Sequence, residues 1–93
     1  MDTAIAHLAY VGNSVLGSGV NIEAGAVLAN HWNERGGEDV RVRCDGRLLR
    51  TGVRKFGALV ADGVCIGADA VTSPGTLLPP GAIVPRLGLV AQT

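Results

Sequence analysis

The sequence predicts an all-β fold, a short parallel β-helix of hexapeptide repeats interrupted by one inserted β-hairpin loop. Three observations carry that prediction. From Leu16 an apolar residue recurs every six positions through Ile22 and Leu28, and the period resumes at Val60, Ile66, Thr72, Leu78 and Val84. A second, smaller series follows four residues behind: Val20, Ala26, Val64, Ala70, Thr76 and Ala82. The position just before this second series is mostly glycine, at Gly19, Gly25, Gly63, Gly75 and Gly81.

Each hexad reads as a short strand followed by a turn. The large aliphatic residue points into a narrow prism, the small residue fits a corner, and glycine supplies the corner's backbone angles without a Cβ clash. An amphipathic helix needs spacings of three and four, and a β-sandwich needs sustained alternation; neither is present. Three hexads close one triangular coil, and successive coils pair as parallel strands about 4.8 Å apart. Composition agrees, with fourteen glycines and only Tyr10, Trp32 and Phe56 as aromatics. Such a core is built from Val, Ile, Leu and Ala.

The chain of 93 residues is expected to form a single domain, 1–93, with little more than three coils. A stub of this size has a high surface fraction and open strand edges at both ends, so a homotrimer packed along the prism faces is expected. Pro79, Pro80 and Pro85 lack amide donors and discourage further strand addition. A formal net charge of zero argues against nucleic-acid binding. No apolar run approaches the ~18 residues of a membrane span, and no basic-then-apolar leader opens the chain. With two cysteines, Cys44 and Cys65, the expectation is buried free thiols in a reducing cytoplasm.

Residues 31–55 break the period. Asp45-Gly46 between alternating runs is a strong hairpin signal. A two-residue turn places Cys44 opposite Arg47, Arg43 opposite Leu48, Val42 opposite Leu49 and Arg41 opposite Arg50. One face then carries Val40, Val42, Cys44 and Leu49, and the other Arg41, Arg43 and Arg50. Seven of the eight basic residues lie in this loop against four acidic ones, leaving +3; Arg86 against four acidic residues leaves the remainder at −3. Such a basic protrusion suits phosphate groups or, equally, a solvated hairpin face. Trp32 is expected to pack under the hairpin.

Ahead of the loop the chain reads His7-Leu-Ala-Tyr10, then Val20-Asn21-Ile-Glu23-Ala-Gly25, then Ala29-Asn30. This resembles the acetyltransferase half of the bifunctional sugar-1-phosphate nucleotidylyltransferase/N-acetyltransferase family, whose best-known members make UDP-N-acetylglucosamine. There a His-x-x-Tyr pair precedes an Asn in a Val-Asn-Ile-Gly-Ala-Gly hexad and a second Asn that closes the next coil. The segments Val40-Arg-Val-Arg-Cys44, Thr51-Gly-Val-Arg-Lys55 and Phe56-Gly-Ala-Leu-Val60 look like the family's archaeal branch. The resemblance implies a left-handed, single-stranded winding, a homotrimer, and acetyl-CoA as acyl donor with no metal.

Carried over by residue, the resemblance makes His7 the general base that takes a proton from the acceptor amine. An imidazole changes protonation near neutral pH and suits that task. Tyr10 and Asn21 would hold an amino sugar, Asn30 would contact the pantetheine or acetyl group, and a backbone amide near Ala68 would orient the thioester. Plainer roles stand beside these. His7 can be an exposed residue near a terminus, Tyr10 a cap on the first coil, Asn21 part of an amide ladder, and Asn30 the start of the loop turn. The sequence also departs from the family. These 93 residues do not include a nucleotidylyltransferase domain, coils ahead of His7 or a C-terminal arm like the family's, Glu23 replaces a glycine, and Ala68 stands where many members have serine. Two other functions fit the fold. A non-catalytic trimeric scaffold or binding module needs no site residues, and a zinc enzyme of the carbonic-anhydrase type needs three histidines where this chain has only His7 and His31.

Overall fold

The computed structural model describes residues 3–93. The first coil carries β1 (Ala4–Ile5), β2 (Tyr10–Val11) and β3 (Val15–Leu16). The second begins with β4 (Asn21–Ile22) and β5 (Val27–Leu28). The chain then leaves the prism for a 3-10 turn (Asn33–Arg35) and the strands β6 (Arg41–Cys44) and β7 (Arg47–Arg50). It returns as β8 (Ala58–Val60), which closes the second coil. The third coil is β9 (Cys65–Ile66), β10 (Val71–Thr72) and β11 (Thr76–Leu78). β12 (Ile83–Val84) and β13 (Leu89–Val90) build two sides of a fourth.

These strands stack into three parallel sheets, β1-β4-β9-β12, β2-β5-β10-β13 and β3-β8-β11, the three faces of a prism. Within each two-residue strand the second side chain points inward. Ile22, Leu28 and Ile66 are fully buried, with Val60, Leu78 and Val84 nearly so. The corner series Val20, Ala26, Val64 and Ala70 completes one continuous core. Parallel pairing, stacked coils and an aliphatic core agree with the repeat.

Inward–outward alternation corrects one expectation. The thiols are not buried: Cys65 occupies the outward position beside Ile66 and is exposed, and Cys44 is half-buried. Both are unpaired.

The corners adopt left-handed backbone angles at five glycines of the expected series, with φ between 68° and 81°. Equivalent corners are closed by Leu8 (φ 65°), Asp69 (φ 57°) and Leu87 (φ 63°). A side chain there costs ~1–2 kcal/mol, which the stacked coils on either side hold in place.

Coil length varies at one corner only. Successive coils are offset by 18 residues at Cys65↔Ile83 and Val71↔Leu89, but by 17 at Ala4↔Asn21 and Tyr10↔Val27. The missing residue lies between β2 and β3. At the same corner of the next coil the offset Asn21↔Cys65 is 44, so the loop adds 44 − 18 = 26 residues. Ser14 seals this corner: its hydroxyl donates to the Gly12 carbonyl at 2.9 Å and accepts from the Ala58 amide at 2.9 Å. The loop's base is closed by an antiparallel His31↔Lys55 bridge and by the Phe56 amide donating to the Asn30 carbonyl at 2.8 Å.

Within the loop β6 and β7 pair antiparallel, with Cys44↔Arg47, Arg43↔Leu48, Val42↔Leu49 and Arg41↔Arg50 as partners. Only β6 lies against the prism. Val40, Val42 and Trp32 are buried, and the Arg35 guanidinium stacks 3.6 Å from the centre of the Trp32 ring. Leu49, expected on the buried face, is instead 48% exposed, because β7 is the outer strand and touches no second layer. Contact with the prism is made at Gly75 (φ 81°), where a Cβ would collide with the Arg41 carbonyl and come within 3.0 Å of the Val40 side chain.

The loop arginines hold the last residues of the chain. Arg43 Nε donates to the Gln92 carbonyl at 3.1 Å, and Arg35 to that of Thr93 at 2.9 Å. The Gln92 side-chain amide pairs with the Leu77 backbone through both its oxygen (2.8 Å) and its nitrogen (3.0 Å), covering the edge of β11 in place of a further strand. No helix among the described residues is long and apolar enough to cross a membrane.

Two stability predictions follow from this packing. Thr72 points into the core with its hydroxyl buried and unpartnered. Thr72→Val keeps the shape and removes the unmet polar group, so stability should rise by about 1 kcal/mol in denaturant melts. Gly75→Ala combines a left-handed backbone with a collision at β6 and should cost about 3 kcal/mol by the same measurement.

Candidate functional site

Backbone register decides which of the expected residues can meet. The stack Ile5, Ile22, Ile66 and Val84 runs down the first face. Two residues further along, at the corner between the first and second faces, His7, Ala24, Ala68 and Arg86 therefore share one edge. Asn21 sits on the first face in the outward row Ala4, Asn21, Cys65, Ile83. A shallow hollow beside this edge is lined by Ala6, Asn21, Glu23, Ala24, Ala68 and Arg86. Asn21 and Ala68 thus line one depression, and His7 follows Ala6 at its rim. With coils about 4.8 Å apart, the His7 and Ala68 backbones lie roughly 10 Å apart.

His7 is exposed in the turn between β1 and β2, and no hydrogen bond engages its side chain among the described residues. Asn21 is exposed and points away from the core. The Ala68 amide is already engaged: it donates to Glu23 Oε1 at 3.0 Å. The residue that stands in place of the family's glycine therefore takes up the donor that the resemblance would aim at a thioester.

Tyr10 and Asn30 belong to the neighbouring face and corner. Tyr10 is outward on β2, and Asn30 stands where the chain leaves the prism, one coil below Asn13. The Asn30 amide donates to Asn13 Oδ1 at 2.6 Å, and the Tyr10 hydroxyl donates to Asn30 Oδ1 at 3.3 Å. Gly12 makes room for this cluster, since a Cβ there would fall 2.6 Å from Asn30 Cγ and 2.8 Å from the Tyr10 ring. The amide ladder of this protein is thus Asn13–Asn30. Asn13 was missed from sequence; its only signal was the 17-residue spacing to Asn30 across the shortened coil.

The five residues consequently form two groups, His7 and Ala68 on one corner with Asn21 on the face beside it, and Tyr10 on the second face with Asn30 at the corner beyond. Both are open to solvent. Trp32 is buried beneath Arg35 and is not available to stack on a ligand. The loop's charge is partly spent internally, with Glu38 pairing to Arg35 at 3.2 Å and Arg41 at 3.5 Å. Among the described residues no three His, Cys, Asp or Glu side chains converge as a metal site would require.

Comparison with known proteins places this geometry in context. The chain is 36% identical over 89 residues to a bifunctional sugar-1-phosphate nucleotidylyltransferase/acetyltransferase of Sulfurisphaera tokodaii, covering 88% of this chain and 21% of that protein. It is 34% identical over 83 residues to the bifunctional protein GlmU of Methanococcus vannielii (89% of this chain, 19% of that protein). It is also 35% identical over 68 residues to GlmU of Buchnera aphidicola (73% and 11%). No family model matches the chain. The chain spans about one fifth of the length of the first two of these relatives.

Proposed function

We propose that this chain, homologous to about one fifth of the bifunctional sugar-1-phosphate nucleotidylyltransferase/acetyltransferase proteins, is a CoA-dependent N-acetyltransferase acting on an amino sugar or its phosphate. The observation that carries the reading is the run of His7, Tyr10, Asn21 and Asn30. Its spacing resembles the acetyltransferase half of those proteins, and its members lie outward on two adjacent faces of the prism and the corners that follow them. In this reading the coils wind left-handedly, as the resemblance implies. Two unpaired thiols suit a reducing cytoplasm.

Acetyl-CoA supplies the activated acyl group as a thioester. His7, exposed and without a side-chain hydrogen bond among the described residues, accepts a proton of the acceptor amine as its nitrogen bonds to the acyl carbon; the C–S bond breaks, and the departing thiolate takes that proton from His7 and leaves as the thiol. Tyr10 and Asn21 orient the sugar. Asn30, held by Asn13 and Tyr10, presents a fixed amide to the donor's pantetheine arm. The two groups of residues face outward, which supports a homotrimer whose neighbouring chain closes the site. The outward apolar row Tyr10, Val27, Val71 and Leu89 on the second face suits such a contact.

His7→Ala should lower acetyl transfer to an amino sugar by ~10²–10⁴-fold while leaving acetyl-CoA affinity, followed by calorimetric titration, close to the parent value. If the parent protein takes up no acetyl-CoA at millimolar concentration, the transferase reading fails and an inert trimeric scaffold replaces it.

A further inference from the structure

We infer that Glu23 is a specificity-determining residue, a carboxylate fixed in place to recognise a cationic amine on the acceptor; this rests on the acetyltransferase reading. Four observations support it. First, Glu23 lines the same hollow as Asn21 and stands one residue from Ala24, the residue in register with His7. Second, its own register neighbours are Ala6, Gly67 and Pro85, so no bulky side chain stacks over it from the coils above or below. Third, the Ala68 amide, 45 residues away in sequence, donates to Oε1 at 3.0 Å, while Oε2 has no hydrogen-bond partner among the described residues. Fourth, the carboxylate has no ion pair: the two salt bridges among the described residues both belong to Glu38, and Arg86, though it lines the hollow, is not within pairing distance.

These facts define a ligand chemistry. Glu23 is exposed, and the one hydrogen bond at Oε1 restricts its rotamers and directs its free oxygen before anything binds. An ammonium group donates to it through a charge-assisted hydrogen bond, roughly twice as strong as a neutral one. A hydroxyl in the same place also donates to the carboxylate but brings no positive charge, so it lacks the ion-pair attraction, and an anion is repelled. The amide of Ala68 then acts through Glu23 rather than on the acyl group. At the position where the resembling family carries glycine, this chain has a charge that selects the ammonium form on binding; the nitrogen gives that extra proton to solvent before it attacks, and the proposed base takes the next one.

The test is titration of D-glucosamine and, separately, D-glucose into the full chain, followed by the backbone amide signals of Asn21, Glu23 and Ala68. Both titrations are repeated with Glu23→Gln, whose melting temperature and remaining spectrum report that the fold is intact. Glucosamine should bind at least roughly ten-fold more tightly than glucose, and the preference should fall to about two-fold or less in Glu23→Gln. Equal binding of the two sugars, a preference that survives in Glu23→Gln, or no response of these amides to either sugar overturns the assignment. Acetyl-CoA titrated into the same samples reports on the transferase reading separately. Acetyl-CoA binding without an amine preference sinks the role of Glu23 alone, whereas an amine preference without acetyl-CoA binding sinks the transferase and leaves the amine site standing.

Discussion

The parallel backbone ladder between coils is the constraint on which the rest of this molecule depends. Each two-residue strand is too short to be stable alone, and it persists because the strands above and below hold its amides and carbonyls. The ladder fixes which residue lies over which. It forces Ile22 over Ile66, sends Cys65 outward, and lines up His7, Ala24, Ala68 and Arg86 on one edge. Even the costly left-handed angles at Leu8 and Leu87 follow, because a corner that failed to turn would throw every later strand out of register.

A lattice this strict tolerates irregularity only where it can be locally repaired. Both departures from the 18-residue coil, the deletion of one residue and the insertion of 26, occur at the corner between the second and third faces. The repairs are side chains that replace lost backbone contacts. Ser14 bridges Gly12 to Ala58 across the gap, and Asn13 and Asn30 pair amide to amide where the chain swings out. Gln92 does the same at the edge of β11, presenting a side-chain amide as a one-residue strand. Tyr10 and Asn30 are thus tied to the fold's weakest corner, and what fixes their position also fixes the loop.

Period six was legible from sequence because both of its marks, the inward aliphatic and the corner glycine, are set by local sterics. The same was true of the hairpin pairing, which Asp45-Gly46 dictates within a few residues. Burial was less legible wherever it depended on a second layer. Leu49 alternates correctly with Arg50, yet β7 has nothing beneath it, and Cys65 looks apolar in composition but falls on the outward half of its strand. The site divided the same way. Positions could be read from spacing, whereas the occupancy of the Ala68 amide by Glu23 joins residues 45 apart and is visible only once the coils are stacked.

Charge separation along the sequence also changes meaning in three dimensions. The loop's surplus of +3 suggests a ligand-seeking arm, but Arg35 and Arg41 meet Glu38, and Arg35 and Arg43 hold the carbonyls of Thr93 and Gln92. Exposed pairs of this kind contribute little each. Their value lies in number and position, since together they fasten β6 and the end of the chain to the open edge of the prism. Glu23 presents the reverse case. It looks like an ordinary surface carboxylate in the sequence, yet it is tethered to the backbone and, among the described residues, without an ion pair in the hollow where Asn21 and Ala68 meet. Held at one oxygen and with no ion pair among the described residues, it has more scope to choose a ligand than Arg35, Arg41 and Arg43, whose donors are already engaged.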